Sequence, residues 1–155
     1  SVAQGFALAA KMDKTSQRIY CLIGDGESQE GQIWECAMSA PKFKLSNFCV
    51  MLDYNQAQID GFVRDVMPLE PVADKWRAFG WHVLEIDGHD FSQIQGAYDE
   101  FKKLHESGAE KPVFILAHTV KGKGVSFMEN KVEWHGVVPN AEQTKKAVDE
   151  IRNRK

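Results

Sequence analysis

Two short stretches of this chain combine residue types that could hold a cation against an anion. Gly24-Asp25-Gly26-Glu27 offers a carboxylate between glycines, and Asp53-Tyr54-Asn55 offers a carboxamide. Each follows an apolar run, Ile19 to Ile23 and Phe48 to Leu52, that reads as a buried strand. Magnesium prefers a few protein oxygens, with phosphate or water oxygens completing its octahedron. The Asp25 carboxylate, the Asn55 amide oxygen and a nearby backbone carbonyl would leave room for two diphosphate oxygens. Gly24 and Gly26 allow close approach of the backbone to phosphate. A helix opening near Ser28 would aim its free N–H groups at the same anion. Taken singly, Gly-Asp-Gly also suits a flexible turn, and Asp53 and Asn55 are ordinary turn formers. Their coincidence at two strand ends favours the site.

Those strand ends need a sheet to align them. The pattern gives a helix over 2–12, a strand over 18–23, and a second helix opening at Ser28 with Ile33, Trp34, Ala37 and Met38 on one face. Pro41 marks the limit of that helix, with continuation to Leu45 left open. The first strand is apolar on nearly every residue, as in a strand covered on both faces. Strand two covers 47–52. A loop runs from Asn55 to Pro68, with a turn at Asp60-Gly61. A helix over 70–79 is stopped by Gly80. Strand three covers 81–86. The turn Asp87-Gly88-His89-Asp90 hands over to a helix from Phe91, with Asp90 as its cap and Gly108 as its end. Strand four covers 112–118. The stretch 119–139 lacks periodicity, and a last helix covers 141–152. Strands alternating with helices predict an α/β domain over 1–155, doubly wound, with a mainly parallel sheet and helices on both faces. The fourth strand brings Lys121 to the edge that carries Asp25 and Asn55, where ligands of open α/β sheets bind. The alanine-rich start at Ser1 already reads as the body of a helix, so the domain is expected to be incomplete at its N-terminus.

Composition narrows the partners. A net charge of −3 over 155 residues advertises no basic face, so neither nucleic acid nor anionic membrane is an expected partner. No apolar run approaches the roughly 18 residues needed to cross a bilayer. The three cysteines, Cys21, Cys36 and Cys49, are too widely spaced for a CxxC motif. They read as reduced thiols of a cytoplasmic protein. Trp34, Trp76 and Trp81 read as core. His82 reads as a strand residue, His118 as the rim of the sheet and His105 as solvated near a helix end.

Gly-Asp-Gly, followed by a helix, a strand and an Asn, is the pattern of the diphosphate-binding signature of thiamine diphosphate enzymes. GDGESQEGQIWECAMSA, LDYNQAQIDG, LEPVADKWRAFGWHVLEIDGHD and AHTVKGKGVSFMENKVEWHGVVP together resemble transketolase, in particular the separate amino-terminal subunit of split transketolases. The resemblance covers nearly the whole chain. It implies thiamine diphosphate and Mg2+ (or Ca2+) as cofactors, with Asp25, Asn55 and the carbonyl of Ala57 as metal ligands. It implies cofactor contacts from Gly24, Gly26, Glu27, Ile59, Lys121 and His135. His135 is the implied catalytic group, hydrogen-bonding a substrate or diphosphate oxygen. Glu30 is an implied interface residue that links active sites.

The implied reaction moves a two-carbon ketol unit from a ketose phosphate to an aldose phosphate, as in the pentose phosphate pathway. The pyrimidine-binding half of such a site, with the glutamate that activates the cofactor, must come from a partner subunit. The family's upstream histidines and glycine-rich turn are also absent, so a further chain is expected to supply them. Deoxyxylulose phosphate synthase and ketoacid dehydrogenase components share the cofactor signature, but the stretch from Lys121 to Trp134-His135-Gly136 favours transketolase. A non-catalytic assembly module would have less reason to keep Asp25 and Asn55. A nucleotide-binding Rossmann module would need a GxGxxG turn that is not here.

Overall fold

The computed structural model describes residues 1–153. Four strands, β1 (Ile19–Gly24), β2 (Phe48–Tyr54), β5 (His82–Asp87) and β6 (Val113–His118), form a parallel sheet in the order β1-β2-β6-β5. The register sets Gly24 opposite Asp53, and Asp53 opposite Ala117. The carboxyl ends of three strands therefore stand level along one edge.

The alternation of side chains along each strand sorts the core into two layers. Phe48, Val50 and Leu52 of β2 and Phe114 and Leu116 of β6 face one side. There they meet Ala7 of α1 (Val2–Met12), Ala37 and Ala40 of α2 (Gly31–Lys42), and Trp76 of α4 (Val72–Ala78). Small residues on α1 and α2 let the helices approach the sheet. Trp76 fills the space beneath α4, stacked on Phe114 with ring centroids 4.0 Å apart and edge-on to Trp81 at 4.8 Å. On the other side Cys49, Val113, Ile115 and Ala117 pack on Ala97 and Phe101 of α5 (Phe91–Glu106). This is the expected architecture, with one correction to its edge. β1 is not covered on both faces, because Tyr20 and Leu22 remain 50% and 67% exposed. α5 reaches Tyr20 only at the rim, through edge-on contacts of Tyr98 and Phe101.

Local chemistry moves several boundaries. Pro41 lies inside α2, one residue before its end, and no helix continues to Leu45. α4 starts at Val72 rather than Glu70, because Glu70 serves as an acceptor instead. Its carboxylate takes the Val72 N–H at 2.9 Å and the Tyr54 hydroxyl at 2.6 Å. Asp90 caps α5 as expected, accepting the N–H groups of Ser92 at 2.8 Å and Gln93 at 3.3 Å. His105 is not simply solvated, since its Nδ1 meets the Ser46 hydroxyl at 3.2 Å.

The last helix, α6 (Ala141–Arg152), has no buried residue. It depends on a capping box in which Asn140 and Gln143 each bond the other's backbone at 2.9 Å. Asn140→Ala is expected to cost about 1 kcal/mol of helix stability, seen as faster amide exchange across α6. Unchanged protection would mean that side-chain contacts, not the cap, hold the helix.

Candidate functional site

The first wall of the site is the turn after β1. Asp25 follows Gly24, and a short 3-10 turn (Glu27–Gln29) intervenes before α2 begins at Gly31. The long helix therefore opens later than expected, with Glu30 as its exposed cap residue. The Ser28 hydroxyl donates to the Asp25 carbonyl at 2.7 Å. The Gly24 N–H reaches the Glu27 carboxylate at 3.3 Å. Gly26 packs against the next wall, since a Cβ there would lie 3.3 Å from Gln58 Cβ.

The second wall replaces the expected loop after Asn55. Asn55 Oδ1 accepts the Ala57 N–H at 3.0 Å, while Gln56 adopts a left-handed φ of 61°. This tight turn starts a hairpin of β3 (Ala57–Gln58) and β4 (Gly61–Phe62), followed by the short helix α3 (Val63–Val66). The reversal falls at Ile59-Asp60, one residue earlier than expected. Gln29 ties the two walls together, donating to Gln58 Oε1 at 2.6 Å.

The third wall is the segment after β6. It folds through successive turns to a 3-10 helix (Val132–His135) that packs against β3. Trp134 anchors that helix, its indole N–H reaching the Phe127 carbonyl at 2.8 Å and its ring lying edge-on to Phe127. Glu150 of α6 grips the same segment, accepting the Ser126 hydroxyl at 2.7 Å.

These walls enclose a cleft of about 720 Å³. Every sequence-predicted site residue lines it. Gly24, Asp25, Gly26, Glu27 and Glu30 come from the first wall, Asn55, Ala57 and Ile59 from the second, and Lys121 and His135 from the third. Gln29, Asp53, Gln58 and Asp60 line it too. From sequence, Asp53 and Asp60 read only as turn formers, and Gln58 carries no mark. The hairpin strands are only two residues long, too short to show alternation, so the Asp60-Gly61 dipeptide is their sole signal.

Asp25 is the residue that most demands a ligand. It is 2% exposed, and neither carboxylate oxygen has a hydrogen-bond partner. Burial pushes its carboxyl up to about 6. The backbone N–H groups of Gln56, Ala57 and Asn55 lie close enough to oppose that rise without making hydrogen bonds to the carboxylate, and the Asp53 carboxylate adds to it. A buried charge without partners is costly, and a cation between Asp25 and Asn55 would relieve the cost. No three His, Cys, Asp or Glu side chains form a metal-holding group among the described residues. Amide and carbonyl oxygens would therefore have to complete the ligand set, as Asn55 and Ala57 can. The cleft also carries Glu27, Glu30, Asp53 and Asp60 against a single lysine among its described lining residues, Lys121. A diphosphate would enter this acidic field only with a divalent cation between. Ile59 stands 74% exposed at the cleft, an apolar surface suited to an aromatic ring.

Residues 4–152 match the family model for the thiamine diphosphate binding domain of transketolase. The chain belongs to the transketolase family. It is similar to the 6-deoxy-6-sulfo-D-fructose transketolase subunit of Clostridium sp. (strain MSTE9), 48% identical over 97% of this chain and 54% of that one. An apulose-4-phosphate transketolase subunit of Phocaeicola vulgatus is 44% identical over 99% of this chain and 53% of its own. The crystal structure of Campylobacter jejuni transketolase superposes with a TM-score of 0.88 at 36% identity, covering 97% of this chain and 24% of that one. This transketolase-family chain thus spans about half the length of these two curated relatives. The cleft described above lies within a thiamine diphosphate binding domain.

Proposed function

We propose that this chain is the diphosphate-binding half of a transketolase that moves a two-carbon ketol unit from a ketose phosphate to an aldose phosphate. The observation that carries this reading is the buried, unpartnered carboxylate of Asp25 in a cleft shared with Asn55, Ala57, Lys121 and His135. Asp25, Asn55 Oδ1 and the Ala57 carbonyl would hold Mg2+ (or Ca2+) against the diphosphate. Lys121 supplies the positive charge that the acidic cleft otherwise lacks. Gly24, Gly26 and Glu27 bring their backbone to the cofactor. Ile59 offers the thiamine rings an apolar seat. When bound, thiamine diphosphate supplies a nucleophilic carbon and an electron sink. His135, exposed at the cleft, donates a hydrogen bond to a substrate or diphosphate oxygen as negative charge gathers there.

The pyrimidine-binding side comes from a partner subunit. The word "subunit" in the names of both relatives supports this reading. Glu30, exposed at the start of α2, is positioned to meet that partner. The sugar phosphates are those of carbohydrate metabolism of the pentose phosphate kind. The three free cysteines suit a reducing cytoplasm. No described helix is long and apolar enough to cross a membrane.

The purified chain is expected to show no ketol transfer alone. Transfer should appear when the pyrimidine-binding subunit, thiamine diphosphate and Mg2+ are added, measured as aldose consumed per ketose cleaved. Turnover of a 2-ketoacid by the assembled enzyme, with no sugar phosphate exchange, would overturn the transketolase reading.

A further inference from the structure

A carboxamide presents an oxygen at one end and a donor at the other. Only the oxygen can bind a cation, so the rotation of the Asn55 amide decides whether it is a ligand at all. Two neighbours set that rotation. The Ala57 N–H donates to Asn55 Oδ1 at 3.0 Å, and Asn55 Nδ2 donates to Asp53 Oδ2 at 3.3 Å. Turned over, the amide would set donor against donor at Ala57 and acceptor against acceptor at Asp53. The backbone N–H belongs to the turn and, short of a proline, is untouched by changing a side chain. The Asp53 carboxylate is the adjustable half of the lock.

Asp53 is itself held. Its other oxygen accepts the Thr119 hydroxyl, whose residue is tied to β2 by its N–H on the Tyr54 carbonyl at 3.2 Å. Asp53 is half-buried, and its neighbours in the register are Gly24 and Ala117. It therefore sits at the centre of the sheet edge, between the strand that leads to Asp25 and the strand that leads to Lys121.

We infer that Asp53, steadied by Thr119, is a positioning residue that turns the Asn55 amide oxygen towards the cation. This inference rests on the proposed cation site at Asp25 and Asn55. It separates from a simple charge effect because Asp53→Asn and Asp53→Ala differ in one respect. The amide in D53N can still accept from Asn55 Nδ2 and can donate to the Thr119 oxygen. It keeps the lock and loses the charge, whereas D53A loses both.

Two measurements on the full chain test it. In the metal-free protein, the side-chain amide protons of Asn55 should show a hydrogen-bonded proton shift in wild type and D53N. In D53A they should collapse towards the values of a free side chain. With inorganic diphosphate present, Mn2+ affinity read by paramagnetic resonance should fall about 10- to 100-fold in D53A and much less in D53N. The inference is overturned if the Asn55 amide is already free in wild type. It is equally overturned if D53N loses as much affinity as D53A while the amide stays locked, because charge alone would then account for the loss. A locked amide in a wild-type chain that takes up no Mn2+ refutes the cation reading, and with it the role given to Asp53.

Discussion

Asp25→Asn is expected to abolish metal-dependent binding of diphosphate and, in the metal-free protein, to raise stability at neutral pH. The first effect follows from losing the buried carboxylate of Asp25, whose two oxygens have no hydrogen-bond partner. A loss on the order of a hundredfold or more is expected, since even groups that only support a metal ligand are worth 10–100-fold. The second effect follows from the direction of the shift. The folded-state carboxyl is raised from 3.8 to about 6. The folded protein therefore holds this proton more tightly than the unfolded chain does. Its contribution is favourable below the unfolded value and is lost as pH rises through the window up to about 6. Above that window the ionised form costs about 3 kcal/mol, at roughly 1.4 kcal/mol per unit. Asparagine keeps the shape without the charge, although its own unpartnered N–H groups return about 1–2 kcal/mol of cost. A net gain of about 1 kcal/mol is expected at pH 7.5, with no gain at pH 4. Urea unfolding with a chelator present at both pH values reads the difference. Calorimetry with Mg2+ and inorganic diphosphate reads the binding. Equal destabilisation at both pH values would mean that the carboxylate is well partnered in the folded protein, and the metal assignment would lose its main support.

The contrast between Asp25 and its surroundings also shows what can be read from sequence. The strand ends are legible because Ile19 to Ile23 and Phe48 to Leu52 are apolar runs, and parallel strands buried in a sheet need such runs. Asp25, Asn55, Lys121 and His135 are legible as a set because each follows such a run or falls in a stretch that resembles transketolase. The cleft gathers all of them. What sequence misses is short or depends on neighbours. The hairpin after Asn55 is set by one Asx-type bond and one left-handed residue, Gln56, and neither leaves a periodic trace. The 3-10 turn that delays α2 arises from local bonds, the Ser28 hydroxyl on the Asp25 carbonyl and the Gln29 N–H on the Gly26 carbonyl, which propensity does not register. The apolar run of β1 promises more cover than β1 has. Hydrophobicity says that a face should be covered, but not that this chain supplies the cover, and Tyr20 and Leu22 are left open. Asp53 is easily discounted because a strand-ending Asp has a cheap explanation as a turn former. Only the bonds to Thr119 and Asn55 give it a further one.

Gly122→Ala is expected to open the wall that carries Lys121 and His135 while leaving the sheet intact. Gly122 has a φ of 68°, in the left-handed region where a Cβ is strained. A Cβ built there would lie 2.7 Å from both the carbonyl carbon and oxygen of Met128. Both are backbone atoms, so no rotamer change relieves the clash. The turn is also closed on itself at this point. Asn130 N–H bonds the Lys121 carbonyl at 2.9 Å, and Val125 N–H bonds the Gly122 carbonyl at 3.1 Å. Separating Gly122 from Met128 must therefore break the closure. The combined cost is on the order of 2–4 kcal/mol. That exceeds what a surface turn can absorb, but it lies outside the layers around Phe114 and Ile115 that hold the sheet. The segment is then expected to open locally rather than unfold the domain. Amide exchange at Val125, Met128 and Asn130 should quicken while β2 and β6 stay protected. Diphosphate affinity should fall by the share that Lys121 supplies, with Asp25 still able to take Mn2+. Gly136→Ala is the matched control, because Gly136 has a φ of −126° and nothing within 4 Å of a built Cβ. It should change neither exchange nor affinity. If the two variants behave alike, the closure of Gly122 on Met128 does not hold Lys121 in the cleft. The third wall must then be positioned from elsewhere, by the grip of Glu150 on Ser126 and the packing of the 3-10 helix against β3.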